Sequence, residues 1–467
     1  MWPVILNVLA LALAAVMAPK HQGSPLEKWV ESEMRDRHIP GMAVGVFRYG
    51  KPVEILTRGY ADLENRVPVK RQTQFEICSV TKQFTAVAVL LLVQDGKMAL
   101  DDPISKYIAA IPPSWAGVTI RRLLDHTSGI PNPIFEEHLS SLPIAEALGK
   151  LFAHPLMFSP GDQWLYNNTG YWLLGMAIEQ ASGEHYFDFL SHHIFSPLKM
   201  KHTFPNRAHA IVPWRARGYS YEHGVFKNAP PLSDIEGNAA GGLISTLDDM
   251  NIWSQALYSG KILSPSSRAE ILRAGRLKSG DEAWPVVSDG YGLGVFVGKS
   301  GGHRYEKHSG GWYDASCQLI RFPDDGLTVV MLTNVGGYEQ RSFSGESIAH
   351  LYIPKIQVPS WRATSQSEES KVTRVVSRFL KSSSASARTD LMTPSLSALS
   401  KTKNPEFDKF FSPLGALKKL QFVRRVKQGS NVIYVYKAQF DKAVICAFTL
   451  TKDLKVADIQ YFEPMKS

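Results

Sequence analysis

Strand-like patterns lie at both ends of a long, mostly helical stretch of this 467-residue sequence, and that order limits the folds that the chain can form. Near the start, residues 41–47 and 53–56 predict a hairpin across Tyr49 and Gly50. Comparable strand patterns return at residues 292–298, 305–309, 315–322 and 327–333. Since distant segments must then supply strands to one sheet, the sequence predicts an α+β fold.

Helical apolar spacing occupies much of the region between these strands. Residues 26–37 predict an amphipathic first helix, and residues 170–180 and 246–258 predict two later ones. After Ser79, apolar residues recur at helical spacing until Gly96, which stands where a C-cap glycine ends a helix. The sequence therefore predicts a long helix with Ser79 near its start.

The composition is that of an ordinary globular protein, with 44% hydrophobic and 20% charged residues, which excludes wholesale disorder, collagen and coiled coil. The three cysteines, Cys78, Cys317 and Cys446, lie far apart and form no C-x-x-C pair. This spacing argues against a disulfide scaffold and a structural zinc site. We therefore expect no metal and no other cofactor.

The excess of positive charge lies in the last quarter of the chain. Residues 1–360 carry 33 Lys and Arg against 34 Asp and Glu, whereas residues 361–467 carry 19 against 9. The first part has no electrostatic footprint for a nucleic acid, so no nucleic-acid partner is expected. The basic tail is interpreted as solvated surface, with association to a cell wall or a membrane surface as the alternatives.

A polar, Ser-rich stretch divides the chain. We predict a main domain over residues 25–355, a linker over 356–370 and a small α+β accessory domain over 371–467. In the accessory domain a helix pattern precedes four strand patterns, and no obvious catalytic set is present. Its role is left open by the sequence.

Residues 1–18 predict a signal peptide. The apolar run from Val4 to Ala18 is shorter than the roughly 20 residues that span a bilayer, and it ends in small residues. No Lys or Arg precedes the run and Pro19 follows it, so an uncleaved membrane anchor remains an alternative. We therefore expect export, to the periplasm or the extracellular space.

The strongest local signal for chemistry is the pair Ser79 and Lys82, which a helix places one turn apart on the same face. A serine hydroxyl is a poor nucleophile until a base removes its proton, and a buried lysine with a lowered pKa can be that base. The helix N-terminus adds a positive dipole end and free backbone N–H groups. Alone, the pattern is weak, because an N-cap serine beside a surface lysine also fits it.

Two further patterns point to the same chemistry. Tyr166 and Asn168 follow the turn at residues 159–162, where the tyrosine hydroxyl can relay the serine proton and the Asn168 amide can bond a substrate carbonyl. The His-Ser-Gly-Gly run at 308–311 ends a strand with two glycines, which let a ligand approach backbone N–H groups. A core aromatic, a buried histidine and a turn are the structural alternatives.

The order Ser-x-x-Lys, Tyr-x-Asn, His-Ser-Gly-Gly resembles that of the beta-lactamase-related serine hydrolases. This family groups class C beta-lactamases, D-Ala-D-Ala carboxypeptidases, D-aminopeptidases and beta-lactamase-like esterases. Flanking runs in the family's order stand at residues 123–130, 160–161, 194–200 and 240–243. The resemblance covers residues 25–355 and implies a beta-lactamase/transpeptidase-like antiparallel sheet with a helical region.

The resemblance also implies catalytic roles. Ser79 would form an acyl-enzyme, Lys82 and Tyr166 would share base and acid duties, and Asn168 would orient the substrate. The implied reaction is hydrolysis of an ester or amide in a small molecule or peptide. The alternative is a non-catalytic ligand-binding or sensor protein that uses the same cleft, and a surface-adhesion module built on the basic tail is a third hypothesis.

On the substrate side, the resemblance implies that His308, Ser309 and Gly310 contact the substrate. The N–H groups of Ser79 and Gly311 would form an oxyanion hole, worth on the order of 3 kcal/mol per donor. His308 and Ser309 replace the lysine and threonine of true class C beta-lactamases, so an esterase or D-peptidase is implied rather than a beta-lactamase.

Two other motifs are interpreted as structural. The His-Thr-Ser-Gly run at 126–129 fits a helix followed by a tight turn. The run at 298–302 fits the G-x-S-x-G pattern, but a strand pattern follows it, so we predict a hairpin turn there. The loops at 130–160 and 205–240 would shape the cleft, and the sequence identifies neither the substrate nor the oligomeric state.

Overall fold

The structure is a computed structural model. It describes residues 23–133, 142–207, 209–222, 224–230, 238–280, 283, 290–336, 345–356, 369–382, 388–393, 414–428, 431–441, 443–451 and 453–462. The predicted signal peptide and most of the predicted linker lie outside the described residues. In the described ranges, no helix has the length and apolar character needed to cross a membrane.

The helices are α1 (Pro25–Asp36), α2 (Thr81–Gln94), α3 (Ile120–Leu124), α4 (Ile144–Phe152), α5 (Asn168–Ser182), α6 (Tyr186–Leu190), α7 (Ser196–Leu198), α8 (Leu247–Ser259), α9 (Pro265–Leu272), α10 (Gly345–Tyr352) and α11 (Ser370–Lys381). A 3-10 turn, Cys78–Val80, precedes α2. The start of α1 shows how local sequence sets these ends: the Ser24 hydroxyl accepts from the N–H of Glu27, whose carboxylate accepts from the Ser24 N–H, a capping box.

The strands of the first part are β1 (Gly41–Arg48), β2 (Lys51–Asp62), β3 (Val67–Pro68), β4 (Phe75–Glu76), β5 (Phe204–Pro205), β6 (Tyr219–Glu222), β7 (Val225–Asn228), β8 (Leu243–Ser245), β9 (Gly290–Tyr291), β10 (Phe296–Ser300), β11 (His303–Gly311), β12 (Ser316–Phe322) and β13 (Leu327–Thr333). Those of the second are β14 (Lys419–Gln428), β15 (Asn431–Gln439), β16 (Ala443–Leu450) and β17 (Val456–Phe462).

Within the described residues, an eight-stranded sheet has the order β3-β2-β1-β13-β12-β11-β10-β9. The two distant strand regions meet where β1 pairs antiparallel with β13, in a register that sets Met42 opposite Thr333 and Arg48 opposite Leu327. The neighbouring pairs of this sheet are also antiparallel. The predicted α+β class with an antiparallel sheet is therefore confirmed.

The sheet has a hydrophobic core on each face. Apolar residues of α1 and α10, such as Val30 and Ile348, pack on one face. Helix α2 packs on the other face among α5, α6 and α8, and is buried nearly all round because protein surrounds it. Val87 and Leu90 have about 1% exposure or less. The start of α2, with Ser79 before it, is therefore fixed between the sheet and the helices.

The predicted strand at 292–298 is wrong in one respect. The structure has two strands there, β9 and β10, separated by a bend at Gly294, which has φ +74°. A Cβ on Gly294 would lie 2.7 Å from the backbone oxygen of Lys82, so the bend lets the chain pass against α2. The run at 298–302 forms the predicted hairpin turn between β10 and β11.

The C-terminal strands form a separate meander in the order β14-β15-β16-β17. Helix α11 packs on one face of it, where Val376, Phe379 and Phe448 belong to a core separate from those of the large sheet and the rings of Phe379 and Phe448 are in contact. The opposite face of this sheet is partly covered by the first part of the chain. Val423, Ile433, Val435 and Ala447 form a buried cluster with residues of the first part, so this sheet contacts the large one through side chains that α11 does not cover.

Candidate active site

A strained turn presents Ser79. Cys78, directly before it, has φ +43°, a left-handed conformation that is rare for a residue with a side chain and is found where the surrounding structure enforces it. The turn is held on its N-terminal side, where Phe75 of β4 pairs with Ser245 of β8 and the Ile77 N–H donates to Leu243 O. Ser79 is half-buried at the mouth of this turn.

Lys82, one turn into the helix, is fully buried, with 0% exposure. Its Nζ lies 3.1 Å from Ser79 Oγ, 2.8 Å from Asn168 Oδ1 and 2.6 Å from the backbone oxygen of Ala240. Burial lowers the pKa of Lys82 well below its ordinary value, because the charged form loses its hydration.

These contacts orient the neutral amine. A neutral amine has two N–H groups and one lone pair. The amide oxygen of Asn168 and the carbonyl of Ala240 can only accept, so they take the two N–H groups. The lone pair is left to accept the proton of the Ser79 hydroxyl. The predicted juxtaposition of serine and lysine is thus present with the polarity that a general base needs.

Tyr166 reaches the same place from a loop. Asn167 caps α5 by accepting from the N–H of Gly170 at 2.7 Å, and its own N–H donates to His126 Nδ1 at 3.2 Å. These bonds hold Tyr166 just before the helix, with its ring centroid 4.9 Å from Lys82 Nζ. Asn168, the first residue of α5, accepts from Lys82 with its side-chain oxygen.

The end of β11 lies against the Ser79 turn. Strand β10 starts its pairing at Lys307, so in the described part of the sheet no strand covers residues 308–311 on that edge. A Cβ on Gly310 would lie 2.4 Å from the Ile77 backbone oxygen and 2.9 Å from Cys78 Cβ. Gly310 therefore permits the contact, and the backbones of Ser79 and Gly311 belong to two touching segments.

The Ser309 side chain has a partner away from this cluster, and its contact with substrate stays a prediction. Its hydroxyl accepts from Gln318 Nε2 at 2.8 Å, and the oxygen of Gln318 accepts from the N–H of Gly345, the first residue of α10. Side chains alternate along a strand, so His308 and Gly310 face the Ser79 turn while Ser309 faces α10.

A buried chain of hydrogen bonds connects two histidines through Tyr291, a residue that sequence reasoning missed. His126 Nδ1 accepts the N–H of Asn167, so its Nε2 carries the hydrogen and donates to the Tyr291 hydroxyl, 3.1 Å away. The tyrosine hydroxyl donates in turn to His308 Nε2 at 3.3 Å, and His308 Nδ1 donates to Ser309 O at 2.6 Å. The Tyr291 hydroxyl thus lies between the two histidines.

Both histidines of this chain are neutral. Burial lowers the pKa of His126 well below its ordinary value and that of His308 to about 3. The 126–129 run also holds the loop that carries Tyr166, since the N–H groups of Leu165 and Gly161 donate to its carbonyls at 2.9 and 2.7 Å. The structural interpretation of that run is consistent with these bonds.

The C-terminal sheet forms part of the wall of the site. Trp164 and Tyr291 belong to the buried cluster with Val435 and its neighbours, and Tyr166 and Phe296 pack against the same cluster. Nothing in the spacing of the sequence signals this contact, because it joins segments more than 100 residues apart.

Among the described residues, no group of three or more His, Cys, Asp or Glu side chains could hold a metal ion.

Comparison with known proteins identifies the family. A family model described as Beta-lactamase matches residues 26–351. The chain belongs to this family. Its sequence is 32% identical over 295 residues to Penicillin-binding protein 4* of Bacillus subtilis (strain 168), a match that covers 59% of this chain and 64% of that protein. The beta-lactamase-family chain thus spans less than two thirds of the length of this curated relative.

Solved structures agree with this assignment. D-amino acid amidase from Ochrobactrum anthropi SV3, solved with L-phenylalanine amide, has a TM-score of 0.58 and 27% identity over 70% of this chain and 98% of its own. The octameric penicillin-binding protein homologue from Pyrococcus abyssi has a TM-score of 0.61 over 95% of this chain and 96% of its own, at 22% identity, which shows the fold alone. The predicted relationship to beta-lactamase-related serine hydrolases is confirmed.

Proposed function

We propose that this beta-lactamase-family chain hydrolyses an ester or an amide, either a D-amino-acid peptide or a carboxylic ester, through an acyl-enzyme on Ser79. The observation that carries the proposal is the fully buried Lys82, whose Nζ lies 3.1 Å from Ser79 Oγ while two obligate acceptors occupy its N–H groups. A surface lysine beside an N-cap serine would have neither the burial nor these partners.

The proposed reaction has two halves. In acylation, Lys82 takes the Ser79 proton while Oγ bonds to the substrate carbonyl carbon, and the oxyanion receives the N–H groups of Ser79 and Gly311, each donor worth about 3 kcal/mol. The carbonyl then re-forms, the bond to the leaving group breaks, and the proton passes to that group through Lys82 or Tyr166. In deacylation, Lys82 or Tyr166 takes a proton from water as the water oxygen bonds to the ester carbonyl carbon. The carbonyl re-forms, the bond to Ser79 Oγ breaks, Oγ receives that proton, and the carboxylic acid product leaves.

The neutral state of His308 supports an esterase or D-peptidase over a beta-lactamase. Because burial lowers the pKa of His308 to about 3, the third motif supplies no fixed positive charge at neutral pH. A lysine at this position would attract a substrate carboxylate more strongly. The amidase named among the solved structures is consistent with an amide substrate for this chain.

Labelling of Ser79 tests the proposal. The full chain, incubated with a fluorescent fluorophosphonate, should become labelled at Ser79 and should turn over p-nitrophenyl esters. Ser79→Ala should abolish both, whereas Ser259→Ala, at the end of α8, should change neither. Absence of label and of turnover in the wild type would contradict the proposal. Stoichiometric ligand binding that persists in Ser79→Ala, without turnover, would favour a binding or sensor protein.

We further propose that the chain is exported, on the basis of the apolar run in residues 1–18. Expression of the full chain with and without these residues, followed by cell fractionation, tests this. Export of the full chain and retention of the shortened one is the expected result. Retention of both in the cytoplasm would contradict it.

A further inference from the structure

Two of the three cysteines meet beneath the nucleophile, although they lie far apart in the sequence. Cys78 directly precedes Ser79, and Cys317 is the second residue of β12. Both side chains are buried, and the structure holds both as free thiols. The catalytic steps above use neither of them.

Gly310 provides the space in which the two cysteines approach each other. Cys317 stands directly opposite Gly310 in the pairing of β11 with β12, so its side chain lies on the face of the sheet that is directed to the Ser79 turn. A Cβ on Gly310 would lie 2.6 Å from Cys317 Sγ and 2.9 Å from Cys78 Cβ. The two cysteine side chains therefore border the same methyl-sized space, which is open because residue 310 has no side chain.

The two thiols interact directly. A hydrogen bond with the Cys317 thiol, together with burial, raises the pKa of the Cys78 thiol well above its ordinary value. Cys317 Sγ also lies 2.9 Å from the backbone oxygen of Ile77, to which it donates. The Val80 N–H donates to the same oxygen at 3.0 Å, so the Ile77 carbonyl keeps a partner if the thiol hydrogen is lost.

The backbone at Cys78 points to a use for its side chain. Glycine would adopt the φ of +43° found there without strain, whereas a residue with a Cβ adopts it at a cost in energy. The turn alone therefore gives no reason for a cysteine at this position. Cys446 belongs to the core of the C-terminal sheet and Cys317 to that of the large one, so Cys317 is the cysteine that Cys78 meets.

We propose that Cys78 and Cys317 form a disulfide in an oxidising environment, and that this bond ties the Ser79 turn to β12. The two thiols give up two hydrogens and two electrons to a disulfide oxidant, which is reduced to two thiols. The thiolate is the attacking species and burial opposes its formation, so the bond forms while the chain folds, before the site is packed. The export proposed above would take the chain to a compartment where disulfides persist.

Peptide mapping of the full chain tests this pairing. The chain is made by cell-free translation in a glutathione redox buffer, and the soluble protein is denatured, treated with iodoacetamide and digested. The peptides that contain Cys78 and Cys317 should be joined, with a mass two hydrogens below that of the two thiol peptides, and Cys446 should carry the alkyl group. Cys446→Ser should keep the joined peptides and Cys317→Ser should lose them. Alkylation of all three cysteines, or a bond that includes Cys446, would overturn the proposal.

Thermal unfolding tests what the bond does. It closes a long loop of the chain, and the constraint on the unfolded state grows with loop length, so the joined protein should unfold about 5 °C or more above the same protein made in dithiothreitol. Cys317→Ser should unfold at one temperature after either preparation, whereas Cys446→Ser should keep the difference. Equal unfolding temperatures for the joined and the reduced wild type would refute the tie between the turn and β12. Neither measurement depends on turnover, so each can fail while Ser79 is labelled.

Discussion

Replacement of Lys82 by methionine separates the neutral buried amine from an ordinary charged lysine. Methionine keeps the length of the side chain but cannot take a proton. The acylation rate should fall by about 10²–10⁴, the range that a general base contributes. Stopped-flow measurement of p-nitrophenol release in the first turnover reports this rate.

The same variant has a signature in stability, whose size follows from linkage. The pKa of Lys82 in the folded state lies well below its ordinary value of 10.5, so between these two pKa values the unfolded chain binds more protons than the folded one. The free energy of unfolding of the wild type therefore rises with pH in this window, by up to about 1.4 kcal/mol per pH unit. Below the folded-state pKa, Lys82 is protonated in both states and its contribution no longer changes with pH.

Lys82→Met removes that contribution. It also leaves the Ala240 carbonyl and Asn168 Oδ1 without the Lys82 donor, at about 1–3 kcal/mol each, independent of pH. Urea unfolding at several pH values should thus give a difference, wild type minus variant, that grows with pH. Lys299→Met, at an exposed lysine of β10, should follow the wild type. If the free energy of unfolding of the wild type and of Lys82→Met changed with pH in parallel, and their acylation rates differed by less than tenfold, the neutral state of Lys82 would be refuted.

Four further changes probe the surroundings of the site. Gly310→Ala should slow acylation about a hundredfold, because its Cβ would lie 2.4 Å from backbone of the Ser79 turn and displace it. The control Gly149→Ala in α4, with open space around it, should be neutral or stabilise the protein by about 0.5–1 kcal/mol. Equal acylation rates for Gly310→Ala and the wild type would contradict this. Tyr291→Phe leaves two buried ring nitrogens without their partner and should lower the urea-unfolding free energy by about 1–3 kcal/mol for each; a loss under about 1 kcal/mol would argue against the chain. Val435→Asp puts a carboxylate into the buried contact between the sheets and should lower kcat/KM, and unchanged kinetics would show that the contact does not shape the site. Because the pKa of His308 is about 3, this histidine should cause no step near pH 6.5 in the pH profile of kcat/KM. The profiles of the wild type and of His308→Gln should therefore have the same shape in that range.

The sequence predicted those features that depend on local spacing. The strand 327–333 was predicted with the bounds of β13, since its apolar run is buried on both faces. The Ser79 and Lys82 pair followed from the helical repeat, which sets residues three apart on one face. The strand at 292–298 was mispredicted because the approach of Gly294 to the Lys82 backbone is a tertiary constraint that apolar alternation does not reveal.

Other parts of the site depend on register and on contacts between distant segments. The motif predicts that Ser309 contacts substrate, but it does not reveal that the Ser309 hydroxyl accepts from Gln318, whose oxygen accepts from the first N–H of α10. Tyr291 stands between two glycines with no spacing relation to either histidine, and only the pairing of β9 with β10 and β10 with β11 brings it to His308.

The protonation states of the site and the contact with the C-terminal sheet have a shared physical basis. Neutral His308 depends on burial, and its neighbours Tyr291 and Phe296, with ring centroids at 6.1 and 5.5 Å, are the residues on which the C-terminal cluster packs. If that sheet moved away, water would reach Tyr291 and the penalty on charging His308 would fall. A positive charge next to Lys82 would lower the pKa of the lysine further and would attract substrate carboxylates. A domain without catalytic residues can therefore set which charge the substrate meets, which is why Val435→Asp should change specificity between anionic and neutral substrates as well as rate.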